Sequence, residues 1–169
     1  MIATRWVNDL LLRKGNDDRE LQARVQQLWA EFGHSKAQHL YEDELRSLGV
    51  GCAPHLLAFI NSQDAEHQDR LRREKATLIL SDVADFSVAP DLVALLDDPN
   101  SQVRFHVAHG LMRLTGRDMG IAAEQWRDLT LQQRRSVLTR WHEWLNREGE
   151  RFPGRSTHPL MKQRMMKKA

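Results

Sequence analysis

Two histidines and an arginine lie close together in the second half of the chain, at spacings that suit chemistry. His106, His109 and Arg113 are three and four residues apart, so on a helix their side chains share one face. Two imidazoles at that spacing can hold zinc or copper, but no carboxylate or thiol at ligand spacing completes a site. We therefore predict no metal here and interpret the three residues as part of a partner-binding patch.

Other signatures of chemistry are missing from the sequence. The chain has neither the glycine-rich dinucleotide fingerprint nor the Walker pattern, and it has no His-Glu-x-x-His segment. Its single cysteine, Cys52, has no second thiol for a disulfide, a redox pair or a zinc site, so we expect it to be buried and inert. The sequence thus predicts no catalytic, cofactor-binding or metal-binding residue, and we expect the protein not to be an enzyme.

Helices are expected to position the histidine patch. Proline, glycine and Asx residues punctuate the chain at short intervals, and the apolar residues between them recur at helical spacing. This pattern predicts an all-α protein. In the first 48 residues we expect three helices, over about 3–13 with its end at Gly15, over about 17–33, and over 35–48 with Ser35 as its N-cap.

The middle of the chain contains an internal repeat. Residues 53–60, APHLLAFI, match residues 89–96, APDLVALL, at an offset of 36, and the helices that follow, 71–80 and 103–112, align at an offset of 32. Each copy begins with proline, which fits the first turn of a helix because its missing N–H has no intrahelical partner there. A helical hairpin this small cannot bury its apolar face alone, so two copies predict a stack of helix pairs.

The second copy carries a recognisable pattern. In chain order it contains Pro-x-Leu-Val-x-Leu-Leu, Asp-Asp-Pro-Asn, Val103-Arg104, Ala108 and Leu111. This pattern resembles a HEAT repeat, and residues 45–83 resemble a degenerate repeat of the same family. The resemblance covers residues 45–120 and implies a short α-solenoid of antiparallel helix pairs with helical caps at both ends.

The same resemblance divides the chain into four parts. Residues 1–44 form an N-terminal cap or a further degenerate repeat, 45–120 hold the two repeats, 121–152 form the C-terminal cap, and 153–169 form a basic tail. The tryptophans of the C-terminal cap are expected in the core rather than on a base-stacking platform.

Two polar residues of the second copy are expected to have structural roles. Asn100 is predicted to cap the following helix, because its side chain can accept from the free N–H groups of the first turn. Arg104 is predicted to bind a loop between repeats, or the acids Asp97 and Asp98, through its forked guanidinium.

HEAT-like stacks line their concave side with the second helix of each pair, and this implies where a partner binds. The resemblance places six residues on that face: Glu74, Thr77, Ser81, His106, His109 and Arg113. We expect this face to favour an acidic protein partner, with tighter binding below about pH 6.5, where an ordinary histidine gains charge.

Charge is distributed unevenly along the chain. Six of its 25 basic residues lie in residues 151–169, which contain no acid, so the first 150 residues carry 19 basic against 23 acidic side chains. The basic tail is defined by Arg155, Lys162, Arg164, Lys167 and Lys168. It is interpreted either as a short amphipathic helix that docks on a partner or as a disordered terminus.

The sequence supports more than one function. No apolar run approaches the roughly 18 residues of a membrane span and no secretory leader is evident, so we expect a cytoplasmic protein. The first hypothesis is a protein-protein interaction scaffold or adaptor, with no small-molecule substrate and no cofactor. The alternative is nucleic-acid binding through the tail and the arginines of residues 70–75 and 134–140. A third, an enzyme helper like the HEAT-containing phycobilin lyases, rests on analogy of fold alone.

Overall fold

A computed structural model describes residues 3–32, 38–62 and 67–148 of the chain, with side chains in 17–31, 39–62 and 70–148. In these ranges every regular element is helical and none is a strand, so the all-α prediction is confirmed. The α-helices are α1 (Ala3–Phe32), α2 (Gln38–Ser47), α3 (Ala53–Ile60), α4 (His67–Val83), α5 (Ala89–Leu95), α6 (Ser101–Thr115) and α7 (Leu131–Glu148). Short 3₁₀ turns lie at Gly49–Cys52, Phe86–Val88 and Ala123–Arg127.

Helix α1 is continuous where two helices were predicted. The expected break at Gly15 is wrong, because α1 runs from Ala3 to Phe32 without interruption. A glycine in a helix costs about 1 kcal/mol relative to alanine but does not by itself end the helix. It ends one where the backbone turns left-handed, as at Gly116, which follows α6 with φ of 67°. The predicted cap Ser35 lies outside the described residues.

The predicted start signals of three helices are confirmed. Pro54 and Pro90 lie in the first turns of α3 and α5, where the missing N–H costs no hydrogen bond. Asn100 caps α6, and its side-chain oxygen accepts a hydrogen bond of 2.9 Å from the N–H of Gln102. The starts of these helices are therefore determined by local chemistry.

The helices form one core in which α4 and α6 are central. Helix α3 packs on α4, α5 packs on α6, and α4 packs directly against α6. Helix α2 contacts α1 and α4, while α7 contacts α5 and the turn Ala123–Arg127 lies against α6. At this C-terminal end Trp126, Trp141 and Trp144 are buried, which confirms the prediction that these tryptophans belong to the core. Residues 45–120, the range predicted for the two repeats, thus contain the central helices α4 and α6.

The backbones of α4 and α6 approach closely at Gly110. A Cβ atom built on Gly110 would lie 2.7 Å from the Cβ and 3.0 Å from the Cα of Ser81. Cβ atoms essentially never approach another side chain as closely as 2.7 Å, so any larger residue at position 110 would force α4 and α6 to shift. This close approach accounts for a glycine in the middle of α6, although glycine lowers the helix propensity there.

Arg104 joins two loops to α6. Its Nη1 donates to the carbonyl oxygens of Asp98 and Pro99, at 2.8 and 2.9 Å. Its Nε and Nη2 donate to the carbonyls of Trp126 and Arg127, each at 3.0 Å. Arg104 is buried, and this burial, followed by the neighbouring charge of Arg134, lowers the pKa of its guanidinium. The loop-binding role predicted for Arg104 is confirmed, and these bonds go to main-chain carbonyls rather than to carboxylates.

We predict that Gly110→Ala lowers the free energy of unfolding by about 1–3 kcal/mol, because the added methyl group collides with Ser81. The gain of about 1 kcal/mol in helix propensity offsets only part of this loss. Urea denaturation measures the change, and a second substitution, Ser81→Gly, should recover part of it. A Gly110→Ala protein more stable than the parent would show that the two helices are not in close contact.

We also predict that Arg104→Met destabilises the fold by about 2–4 kcal/mol, since it leaves buried carbonyl oxygens without donors. Arg135→Met is the matched control, because Arg135 is exposed on α7 and its loss should change stability by no more than about 0.5 kcal/mol. Thermal and urea unfolding of the two variants compare the effects. Equal losses would contradict the bridging role of Arg104.

Candidate interaction surfaces

The six residues predicted for the concave face lie on the neighbouring helices α4 and α6, but two of them are buried. Thr77 is 0% exposed and Ser81 is 2% exposed. The hydroxyl of Thr77 donates to the carbonyl of Arg73 at 2.8 Å, and Ser81 lies against Gly110. The assignment of Thr77 and Ser81 to a partner-binding surface is therefore corrected, because close packing between α4 and α6 buries them.

Two further residues of this set make bonds that hold the fold. The Nη2 of Arg113 donates to the carbonyl oxygens of Ser81 and Ala84, at 2.8 and 3.0 Å, and so ties α6 to the end of α4. The carboxylate of Glu74 accepts from Arg70 at 3.2 Å and from the Asn100 amide at 2.8 Å. Both side chains are thus engaged within the chain.

His106 and His109 are the remaining pair. His109 is exposed and His106 is half-buried beside Phe105, with ring centroids 5.1 Å apart. Burial lowers the pKa of His106 below its usual 6.5. Arg127 and Lys75 act in the same direction, while Glu74 and Asp82 oppose them. His106 is therefore neutral at pH 7, and it gains its charge at a lower pH than an ordinary histidine does.

Several of the basic side chains in residues 70–75 and 134–140, which were predicted to bind nucleic acid, form salt bridges within the chain. Arg70 pairs with Glu74, Lys75 with Glu42 at 2.9 Å, and Arg134 of α7 with Asp97 at 3.3 Å. Arg73 forms a two-pronged pair with Asp98. The positive charge of each of these side chains is opposed by a neighbouring carboxylate, which weakens their attraction for phosphate.

A cleft that the sequence did not predict lies among α1, α3 and α4. Its volume is about 370 Å³, and its apolar walls include Val25 and Trp29 from α1 and Leu56 and Phe59 from α3. The rings of Trp29 and Phe59 meet edge to face, with centroids 4.8 Å apart. We call this feature the α1/α3/α4 cleft. Its walls are helices and its mouth opens to solvent.

Polar side chains complete the lining of the α1/α3/α4 cleft. They are Gln22 and Gln26 of α1, His55 of α3 and Arg72 of α4. None of the described residues that line the cleft is acidic. Arg72 is the arginine among these four residues, and it also makes an interaction within the chain.

One wall of this cleft lies on an apolar face of α1 that is visible in the sequence. Leu21, Val25, Leu28 and Trp29 recur at helical spacing and so mark one apolar face of α1. Val25 and Leu28 of this stripe are buried. Trp29 of the same stripe is only partly buried and contributes to the cleft. Periodicity indicates which face of α1 is apolar, but it does not indicate where neighbouring helices leave a gap.

Other predicted features fall inside and outside the described residues. Cys52 is buried, as predicted, and burial raises the pKa of its thiol to about 11, so it is protonated at neutral pH. The five residues that define the basic tail lie outside the described residues.

Among the side chains that the structure describes, no group of three or more metal-ligand types comes together. No described helix has the length and apolar character needed to cross a bilayer.

The lowered pKa of His106 predicts a loss of stability in acid. The unfolded chain takes up a proton near pH 6.5, while the folded chain resists it until a lower pH, so stability is full above pH 6.5 and falls below it. Urea titrations at pH 7.5 and 5.0 should show a larger acid-induced loss for the parent protein than for His106→Asn. His109→Asn controls for removal of an exposed imidazole. If His106→Asn loses as much stability in acid as the parent, His106 has no part in the loss.

Comparisons of this chain with models of known families, with curated proteins and with solved structures found no match.

Proposed function

We propose that this protein is a non-catalytic interaction scaffold or adaptor, a short HEAT-like α-solenoid that binds another protein. The contacts of α3 with α4, of α5 with α6 and of α4 with α6 support this arrangement, because they link consecutive helix pairs through their second helices. Linked pairs of this kind hold their surfaces in a fixed relation, as a scaffold requires.

The observation that carries the proposal is the α1/α3/α4 cleft. Ligand sites are mostly concave and apolar with a few polar groups, and this cleft combines aromatic and aliphatic walls with glutamine, histidine and arginine side chains. Three helices from the packed body form its walls, so little conformational entropy is lost when a partner binds. Aromatic residues in such positions supply much of the affinity of protein interfaces.

The α4–α6 face is the second surface of the proposed scaffold. After the burial of Thr77 and Ser81 and the internal bonds of Arg113, the exposed His109 and the half-buried His106 are its most available groups. The α1/α3/α4 cleft offers more apolar surface, so we assign it the principal binding role.

The nucleic-acid hypothesis has less support in the described residues. Arg70, Arg73, Lys75 and Arg134 are each paired with a carboxylate. A basic tail could still bind phosphates, and binding through it would weaken steeply with added salt. The experiment below therefore includes nuclease and removal of the tail.

We predict that Ala58→Glu abolishes partner capture. Ala58 is exposed on α3 and lines the α1/α3/α4 cleft, so a glutamate there blocks the apolar walls without opening the core. The measurement is affinity capture from nuclease-treated native extract with four baits: the full chain, a chain ending at Phe152, Ala58→Glu and the control Ala122→Glu. Ala122 is exposed beside the turn Ala123–Arg127 and provides a matched change.

The expected result is one stoichiometric protein captured by the full chain, the shortened chain and Ala122→Glu, but lost with Ala58→Glu. Circular dichroism checks that both substituted proteins remain folded. Capture that disappears with nuclease or with the tail would overturn the proposal in favour of nucleic-acid binding or a tail-borne interaction.

A further inference from the structure

We infer that protonation of His106 releases the side chain of Arg127 from the ring of Phe105, so that this contact between α6 and the turn Ala123–Arg127 opens in acid. This switch is independent of the binding role proposed for the α1/α3/α4 cleft. Three features of the molecule carry it: the stacking of Arg127 on Phe105, the position of His106 beside the same ring, and the charges around the imidazole.

The side chain of Arg127 is held by Phe105. Its Cζ atom lies 3.6 Å from the centroid of the Phe105 ring, which is the geometry of a cation–π contact. Its Nε atom is buried and has no hydrogen-bond partner among the described residues. A cation–π contact is a weak attraction, and a buried N–H without a partner opposes it, so the stacked side chain is held weakly.

His106 lies beside the same ring. Its imidazole and the Phe105 ring are neighbours on α6, with centroids 5.1 Å apart. The imidazole is half-buried, so a charge that it gains is screened less than a charge in bulk water. Protonation of His106 therefore places a second positive charge next to the ring that already carries Arg127.

The charged groups that act on His106 lie on α4 and on the turn. Burial has the largest effect and lowers the pKa of the imidazole, while Glu74 raises this pKa and Arg127 lowers it. Lys75 and Asp82 of α4 have smaller effects, lowering and raising the pKa respectively. The three α4 groups are already paired within the chain: Glu74 with Arg70, Lys75 with Glu42 and Asp82 with Arg46. Arg127 has no salt-bridge partner among the described residues, so its charge is the uncompensated one that a protonated His106 meets.

The opening is confined to one side chain. Arg104 continues to hold the turn, because it donates to the main-chain carbonyl oxygens of Trp126 and Arg127. The indole of Trp126 is also buried in the core. In acid the turn therefore stays on α6, while the guanidinium of Arg127 moves into water and the face of Phe105 becomes accessible. The surface at this end of α6 thus differs between neutral and acidic solution.

The test follows the two side chains by NMR in the isotopically labelled full chain, from pH 8 down to pH 4. The Hε1 proton of His106 reports its protonation, and the δ-methylene protons of Arg127 are shifted upfield while the guanidinium stacks on Phe105. Phe105→Leu removes the ring current and should abolish this upfield shift at every pH, which identifies its source. We expect the parent protein to lose most of the upfield shift at the pH where His106 titrates.

His106→Asn should keep the upfield shift of Arg127 over the whole pH range, because asparagine gains no charge. His109→Asn is the matched control, since it removes an exposed imidazole from the same helix, and it should lose the shift as the parent does. An upfield shift that still disappears in His106→Asn, or that survives in the parent after His106 is protonated, overturns the switch. Acid unfolding of the parent before His106 titrates overturns it as well, because no folded protonated state then exists.

The reverse experiment measures the same repulsion from the other side. If a charged His106 repels Arg127, then removal of the arginine's charge must make protonation of His106 easier, because such coupling is reciprocal. Arg127→Gln should therefore raise the pKa of His106, obtained from the same Hε1 titration. Arg135→Gln, at an exposed position on α7, should leave this pKa unchanged. An unchanged pKa of His106 in Arg127→Gln would show that the arginine does not act on the imidazole and would contradict the switch.

Discussion

The pairing of Arg73 with Asp98 is the interaction on which the packing of this protein depends most. Asp98 is 7% exposed, and a carboxylate so buried must be compensated by close donors. Arg73 of α4 provides a two-pronged contact, and the N–H of Asn100 adds a hydrogen bond of 2.8 Å. The carbonyl of the same aspartate accepts from Arg104, which connects it to the turn before α7. One loop between α5 and α6 thereby joins α4, α6 and the C-terminal helical segment.

This network also reaches the proposed binding surface. The Nε of Arg73 donates to the carbonyl of Ile60 at 2.7 Å, so the guanidinium that holds Asp98 also holds the end of α3. Phe59 and Arg72, which line the α1/α3/α4 cleft, are the immediate neighbours of Ile60 and Arg73 in sequence. The geometry of the cleft is thus coupled to the packing of α4 on the following helix pair.

Most of the described basic side chains on α4 and α6 form hydrogen bonds or salt bridges within the chain, and so stabilise the fold. Arginine suits this role because its five donors in a planar fork bind several carbonyl oxygens at once, as Arg104 and Arg113 do here. A count of positive residues in the sequence therefore overestimates the charge available to phosphate or to an acidic protein. The exposed part of the α4–α6 face includes His109 and Arg113, and His106 is partly buried there.

The sequence by itself determined features that depend on a few neighbouring residues: the all-helical class, the proline-led starts of α3 and α5, the Asn100 cap, and the burial of Cys52 and the C-terminal tryptophans. Local hydrogen bonding and apolar spacing are sufficient for these. Only the tertiary structure decided that Thr77 and Ser81 are buried and that α1, α3 and α4 leave a cleft. Burial depends on how closely two helices approach, and a cleft depends on three helices that are distant in sequence, so no local pattern specifies either.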